Sequence, residues 1–176
     1  WYSMGGNLIK QVTSGNYEVK EFLGWDADDN SFYYISNEES PLRQAVYQID
    51  RKGKKTKLSS QPGLNSAQFS TNMKYYMNRY SNLNTPTVIT LNDNTGKVLS
   101  TLVTNDNLKQ TLSKYSVPQK EFFTFKTGDG VSLNGWMMKP VNFSVSKKYP
   151  VLLYQYSGPG SQQVLDTWSI SWETYM

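Results

Sequence analysis

Residues 156–163 read YSGPGSQQ, and their side chains could do one kind of chemistry. A phenol, Tyr156, is followed by hydroxyl and carboxamide donors in Ser157, Ser161, Gln162 and Gln163. Between them lies a bend containing Gly158, Pro159 and Gly160, whose glycines allow close approach of the backbone. No base accompanies these groups. What they can supply is hydrogen-bond donors held where negative charge develops, as on the carbonyl oxygen during acyl transfer. A phenolic O–H can replace a backbone N–H in that role. Tyr156 can equally be a packed tyrosine ahead of an ordinary turn, and these residues alone leave both readings open.

Other candidates carry less. DADDN at 26–30 lacks the glycine and glutamate of a calcium loop, since Ser31 and Asn37 occupy those places, so it reads as a turn. Glu38 and Glu39, at a strand end, read as solvated carboxylates. NFS at 142 is a glycosylation acceptor only in a host that glycosylates, and otherwise a loop. RKGKKTK at 51–57 reads as a solvated hairpin tip, not a nucleic-acid patch. The chain has no cysteine and no histidine. Disulfides, thiolate metal sites, histidine-bound metals and a Ser-His or Cys-His pair therefore cannot be completed within it.

The 176 residues suffice for one domain or two small ones, with a modest net charge of +4. The longest apolar run, Val151 to Tyr154, is far too short to span a bilayer, and no segment reads as a signal peptide. The chain opens on WYSMGGNL, already strand-like, which suggests a fragment.

The elements that must position Tyr156 come next. Tyrosine, valine, isoleucine, phenylalanine and threonine alternate with turn residues over the first hundred positions. This predicts strands near 7–12, 17–24, 31–37, 44–50, 54–59, 65–70, 74–80, 86–92 and 97–103. A repeat runs through them. SFYYISNEES at 31 matches MKYYMNRYSN at 73, and AVYQIDRKGKKTKLSS at 45 matches TVITLNDNTGKVLSTL at 87. The Tyr33-Tyr34 and Tyr75-Tyr76 pairs lie 42 residues apart, and Gly53-Lys54 and Gly96-Lys97 lie 43 apart. A four-stranded unit recurring every ~40–45 residues is the signature of a β-propeller blade. Residues 1–104 therefore read as two whole blades and the last strand or so of a third.

The pattern then changes. TNDNLKQTLSKY at 104–115 places Leu108, Leu112 and Tyr115 at helical spacing, with Asp106 as cap and Pro118 as stop, giving a linker helix within 105–118. KEFFTFKTGDG and VSLNGWMMKP predict a hairpin turning at Asp129-Gly130. After the loop NFSVSKKYP, the non-alternating run Val151 to Tyr156 predicts a strand covered on both faces. The fold class expected is mostly β: two four-stranded antiparallel blades, then over 119–176 strands of a different, α/β architecture, of which the α/β-hydrolase domain is one form. In such domains the loop after the third strand supplies part of the oxyanion hole.

The order of features resembles the dipeptidyl peptidase IV branch of the prolyl oligopeptidase family of serine peptidases. FYYISNEE and VYQID are similar to that family's late blades. KKYPVLLYQYSGPGSQ is similar to the strand and loop entering its peptidase domain, and SWETYM to the stretch just beyond. The resemblance implies an eight-bladed propeller capping an α/β-hydrolase domain. It implies removal of N-terminal dipeptides with proline or alanine at the second position. Tyr156 then takes the place of the family's oxyanion-hole tyrosine, and Gly158, Pro159 and Gly160 shape its loop. Trp168 and Trp172 are expected to pack near that loop, with no catalytic role. The nucleophile elbow, a serine in G-x-S-x-G, is absent from these residues, and its acid and histidine should lie further on. The substrate-binding glutamate pair belongs to an earlier blade, so Glu38-Glu39 is not that pair. The chain alone should be inactive. Peptide substrates are the partners implied; nucleic acid and cofactors are not, and a homodimeric whole protein is compatible. A periplasmic, secreted or surface location follows from the family alone.

Two other readings compete. One is a catalytically dead relative kept for binding, which has little need of an oxyanion donor such as Tyr156. The other is a non-enzymatic propeller module, which predicts that the 42-residue period continues; no match at that period follows Pro118.

Overall fold

A computed structural model describes residues 1–156 and 158–174. Ser157, one of the candidate donors, and the last two residues of SWETYM lie outside the described residues.

The repeat is structural. Strands β1 (Val19–Asp26), β2 (Ser31–Ser36), β3 (Ala45–Asp50) and β4 (Lys55–Lys57) form an antiparallel meander in chain order. Strands β5 (Leu64–Phe69), β6 (Tyr75–Asn82), β7 (Thr85–Asp93) and β8 (Val98–Val103) form a second. Tyr33-Tyr34 lies on β2 and Tyr75-Tyr76 on β6, the second strand of each sheet. The turns repeat as well. Between β3 and β4, Gly53 adopts φ 94 and donates its N–H to Asp50 O, while Asp50 Oδ1 accepts from Lys54 N. Between β7 and β8, Gly96 adopts φ 92, with Asp93 and Lys97 in the same two roles. Left-handed backbone at this turn position is why glycine recurs there.

The two sheets share one core. Tyr33, Ile35 and Val46 meet Tyr76, Met73 and Leu58, with Leu23, Ala67 and Phe69 packed around them. Alternate residues of β2 and β3 face the other way, where Tyr34, Ala45, Tyr47 and Ile49 are covered by Phe32 and Val12. The central strands β2 and β3 of the first sheet are therefore buried on both faces, and both tyrosines of the pair are inside. The second sheet is open on its far side, so Tyr76 is 1% exposed but Tyr75 is 49% exposed. A salt link ties the β1–β2 turn to the second sheet: Lys74 Nζ meets Asp26 Oδ2 at 2.9 Å and Asp29 Oδ2 at 3.4 Å. DADDN is thus a turn, its carboxylates gathered on one lysine. The basic tip is paired too, Lys55 with Glu38 and Lys57 with Glu39, and Arg51 lies over the rings of Trp1 and Trp25.

Beyond the sheets, α1 (Asp106–Leu112) is followed by a two-stranded sheet of β9 (Lys120–Lys126) and β10 (Ser132–Met138). Its turn contains Gly130 at φ 88, as Asp129-Gly130 predicted. A 3₁₀ turn covers Trp172–Thr174.

Three expectations need correction. Residues 7–12 form no strand; only an isolated bridge joins Tyr2 to Leu8. The helix is shorter than predicted and starts differently. Its N-cap is Asn105 in left-handed conformation with no side-chain cap, and Asp106 instead accepts from Thr104 Oγ1 and Lys109 Nζ in the first turn. It ends at Ser113, well before Pro118, and Tyr115 is exposed. The largest departure is at Val151 to Tyr156. No strand forms there, and Val151, Leu153 and Tyr154 are 88%, 85% and 73% exposed. Among the described residues no strand runs beside this segment to satisfy its backbone or cover its faces. A hydrophobic run becomes a buried strand only where such partners exist.

Candidate active site

Tyr156 ends the exposed apolar run and precedes the predicted bend. Gly160 has φ 71 there, and Ser161 N donates to Gly158 O at 3.2 Å, closing the turn around Pro159 and Gly160. The Tyr156 ring folds back on Gly158: a Cβ at that position would lie 2.5 Å from the phenolic oxygen and 2.6 Å from Cε1. Only glycine fits under the ring in this arrangement. The side chain is 59% exposed, and among the described residues its hydroxyl has no hydrogen-bond partner. The bend thus presents a phenolic donor to solvent, in contact with Gly158.

The chain then turns back onto the sheets. Gln162 Nε2 donates to Pro41 O at 2.9 Å and to Val164 O at 3.1 Å. Asp166 N donates to Leu42 O at 2.7 Å. The Asp166 carboxylate, 4% exposed as a residue, accepts from Arg43 Nε at 2.8 Å through Oδ2 and from Leu83 N at 2.9 Å through Oδ1. Thr167 Oγ1 and Ser81 Oγ lie 3.1 Å apart. Leu42 and Arg43 belong to the β2–β3 connection of the first sheet, and Ser81 and Leu83 to the β6–β7 end of the second. One short segment is therefore fastened to both.

A second buried group stands nearby. Lys120, at the start of β9, donates to Ser169 Oγ at 2.8 Å and lies 4.6 Å from the Trp136 ring centroid. Asn84 grips its backbone, donating to Lys120 O and accepting from Lys120 N, each at 3.2 Å. Burial pushes the Lys120 ammonium below the usual lysine range, against the opposing pull of the Glu173 charge. Lys120 lines a cleft of about 300 Å³ together with Leu83, Pro86, Leu112, Trp168 and Ile170. Trp168 thus lines this cleft and donates its backbone N–H to Ser81 Oγ, whereas Trp172 is 63% exposed. Tyr156 does not line this cleft. Glu38 accepts from Tyr34 Oη and Ser36 Oγ and pairs with Lys55, a structural set of partners.

The sequence pointed to Tyr156 and its bend but not to Asp166, Arg43 or Lys120. Asp166 and Arg43 lie 123 residues apart, and no local pattern marks either. A lysine opening a strand likewise reads as solvated until its neighbours are known.

The family model described as the dipeptidyl peptidase IV N-terminal region matches residues 1–87. Over 171 residues the chain is 34% identical to the protein named probable dipeptidyl-aminopeptidase B of Podospora anserina, covering 94% of this chain and 18% of that protein. It is 31% identical over 180 residues to dipeptidyl peptidase 4 of Trichophyton rubrum, covering 99% of this chain and 23% of that one. The chain therefore spans about a fifth to a quarter of the length of these relatives. The crystal structure of Porphyromonas gingivalis dipeptidyl peptidase 4 superposes with a TM-score of 0.95 at 48% identity, over 99% of this chain and 25% of that one. By sequence along its whole length and by the course of its backbone, this chain belongs to the dipeptidyl peptidase IV family.

Proposed function

We propose that the whole protein carrying this chain is a serine exopeptidase that removes dipeptides from peptide N-termini, preferring proline or alanine at the second position. In this reading residues 1–104 are the late blades of a β-propeller and 105–118 a linker. Residues 119–176 open an α/β-hydrolase domain. The tandem meanders with their matching turns support the first assignment. The names of the relatives support the peptidase activity.

The observation that carries the mechanism is the Tyr156 bend. When a serine attacks the peptide carbonyl, the oxygen becomes an anion. A donor aimed at that oxygen binds the tetrahedral state more strongly than the planar substrate, so it raises kcat rather than lowering KM. Tyr156, solvent-facing and uncommitted to another acceptor among the described residues, is free to donate its hydroxyl proton in a hydrogen bond. Gly158 gives the ring its seat, and Pro159 and Gly160 set the turn that carries it. Nucleophile and base come from elsewhere in the whole protein, since the chain has no histidine.

The test is Tyr156→Phe in the full-length protein, assayed on a Gly-Pro anilide. Loss of one such donor costs about 2.7–4 kcal/mol, so kcat should fall roughly 100- to 1,000-fold with KM nearly unchanged. Wild-type kcat in this variant refutes the role.

A further inference from the structure

Resting on the peptidase reading above, we propose that Asp166 is a positioning residue for Tyr156. Its carboxylate fixes the far end of the oxyanion loop to both β-sheets and thereby sets where the phenol points. Three observations combine. The carboxylate is buried, and its two oxygens go to two different sheets, Oδ2 to Arg43 and Oδ1 to the Leu83 N–H. Its own backbone N–H is spent on Leu42 O, so the residue is held at three points. Gln162, between Asp166 and the bend, adds a contact to Pro41 O on the same side.

Tyr156 itself makes no such fastening to the sheets among the described residues. Upstream, Val151 to Tyr154 are exposed and join no strand among the described residues. Downstream, the first fastening to the sheets among the described residues is Gln162, which is exposed, and the first buried one is Asp166. A donor in an oxyanion hole must be placed within a fraction of an ångström, and a misplacement of ~1 Å can cost about 100-fold in rate. The loop's aim therefore depends on its buried downstream pin. The ion pair is also the stronger kind of bond: Arg43 donates to an ionised acceptor that is largely removed from water.

The experiment uses the full-length protein and steady-state kinetics on a Gly-Pro anilide. Asp166→Asn retains an oxygen for the Leu83 N–H but cannot accept from Arg43 on its amide side. We expect kcat to fall roughly 10- to 100-fold with KM changed little. In a Tyr156→Phe background the same substitution should cost nothing further, because the group it aims is already gone. Arg43→Met should reproduce the loss and Arg43→Lys restore most of it, and this pair decides the matter if Asp166→Asn does not fold. Lys74→Met, which breaks a different link between the sheets, should lower the melting temperature without changing kcat. A destabilised Asp166→Asn enzyme with wild-type kcat overturns the proposal. So do losses that multiply in the double variant. If Tyr156→Phe itself is fully active, the oxyanion assignment fails and this inference with it. If Tyr156→Phe is slow and neither Asp166→Asn nor Arg43→Met is, only this inference fails.

Discussion

At the scale of single residues, the clearest electrostatic device is Asp26 with Lys74. Burial works against the Asp26 charge, but the Lys74 hydrogen bond, the backbone N–H groups of Asp29 and Asp28 and the lysine's charge outweigh it. The carboxyl is held below its usual range. The folded pKa is thus lower than the unfolded one. The stabilisation is complete above about pH 4 and drains away as pH falls through the lowered folded value. Urea midpoints of this chain at pH 7 and pH 3 should differ less in Lys74→Met than in wild type. Tyr76 illustrates the opposite sign: burial, with the nearby Asp93 charge, pushes its phenol up to about 12, so it stays neutral through the physiological range. Tyr156 could be proposed from the sequence because a tyrosine two residues before Gly-Pro-Gly is a local pattern. Asp166 was not, because what makes it special is two partners contributed by loops that are remote in sequence.

At the scale of elements, the meanders were readable because each strand alternates and each turn carries its own chemistry. Eight of the nine strands predicted before residue 104 form, with ends moved by a residue or two. The exception, 7–12, has no neighbour to pair with beyond one bridge. The VLLY run misled for a related reason: hydrophobicity says what a segment would bury, not whether partners lie beside it. The equivalent turns offer a comparison. Alanine at Gly53 meets only the left-handed backbone, since nothing lies within 4 Å of its Cβ, and should cost roughly 1–2 kcal/mol. Alanine at Gly96 would also set its Cβ 2.7 Å from Leu58 O of the first sheet. Denaturant titration should show it worse by roughly another 1–3 kcal/mol from overpacking.

At the scale of the whole molecule, apolar surface is left open, and two stretches of it stand out. One is Val151 to Tyr154; the other is the far side of the second sheet, with Tyr75, Met77, Leu99 and Leu102 exposed. Contiguous apolar patches and unpaired strand edges seek cover. These 176 residues expressed alone should therefore self-associate in light scattering, and should release no chromophore from a Gly-Pro anilide. The buried carboxylate that joins the sheets carries a further consequence, one of timing. Its partners, Arg43 and Leu83, precede it by 123 and 83 positions. During synthesis both meanders leave the ribosome and can begin to fold before residue 166 exists. Until then the Leu83 N–H and the Arg43 guanidinium lack this carboxylate and stay hydrated. Ribosome pausing just short of that codon should leave those two loops more open to protease than they are in the finished chain.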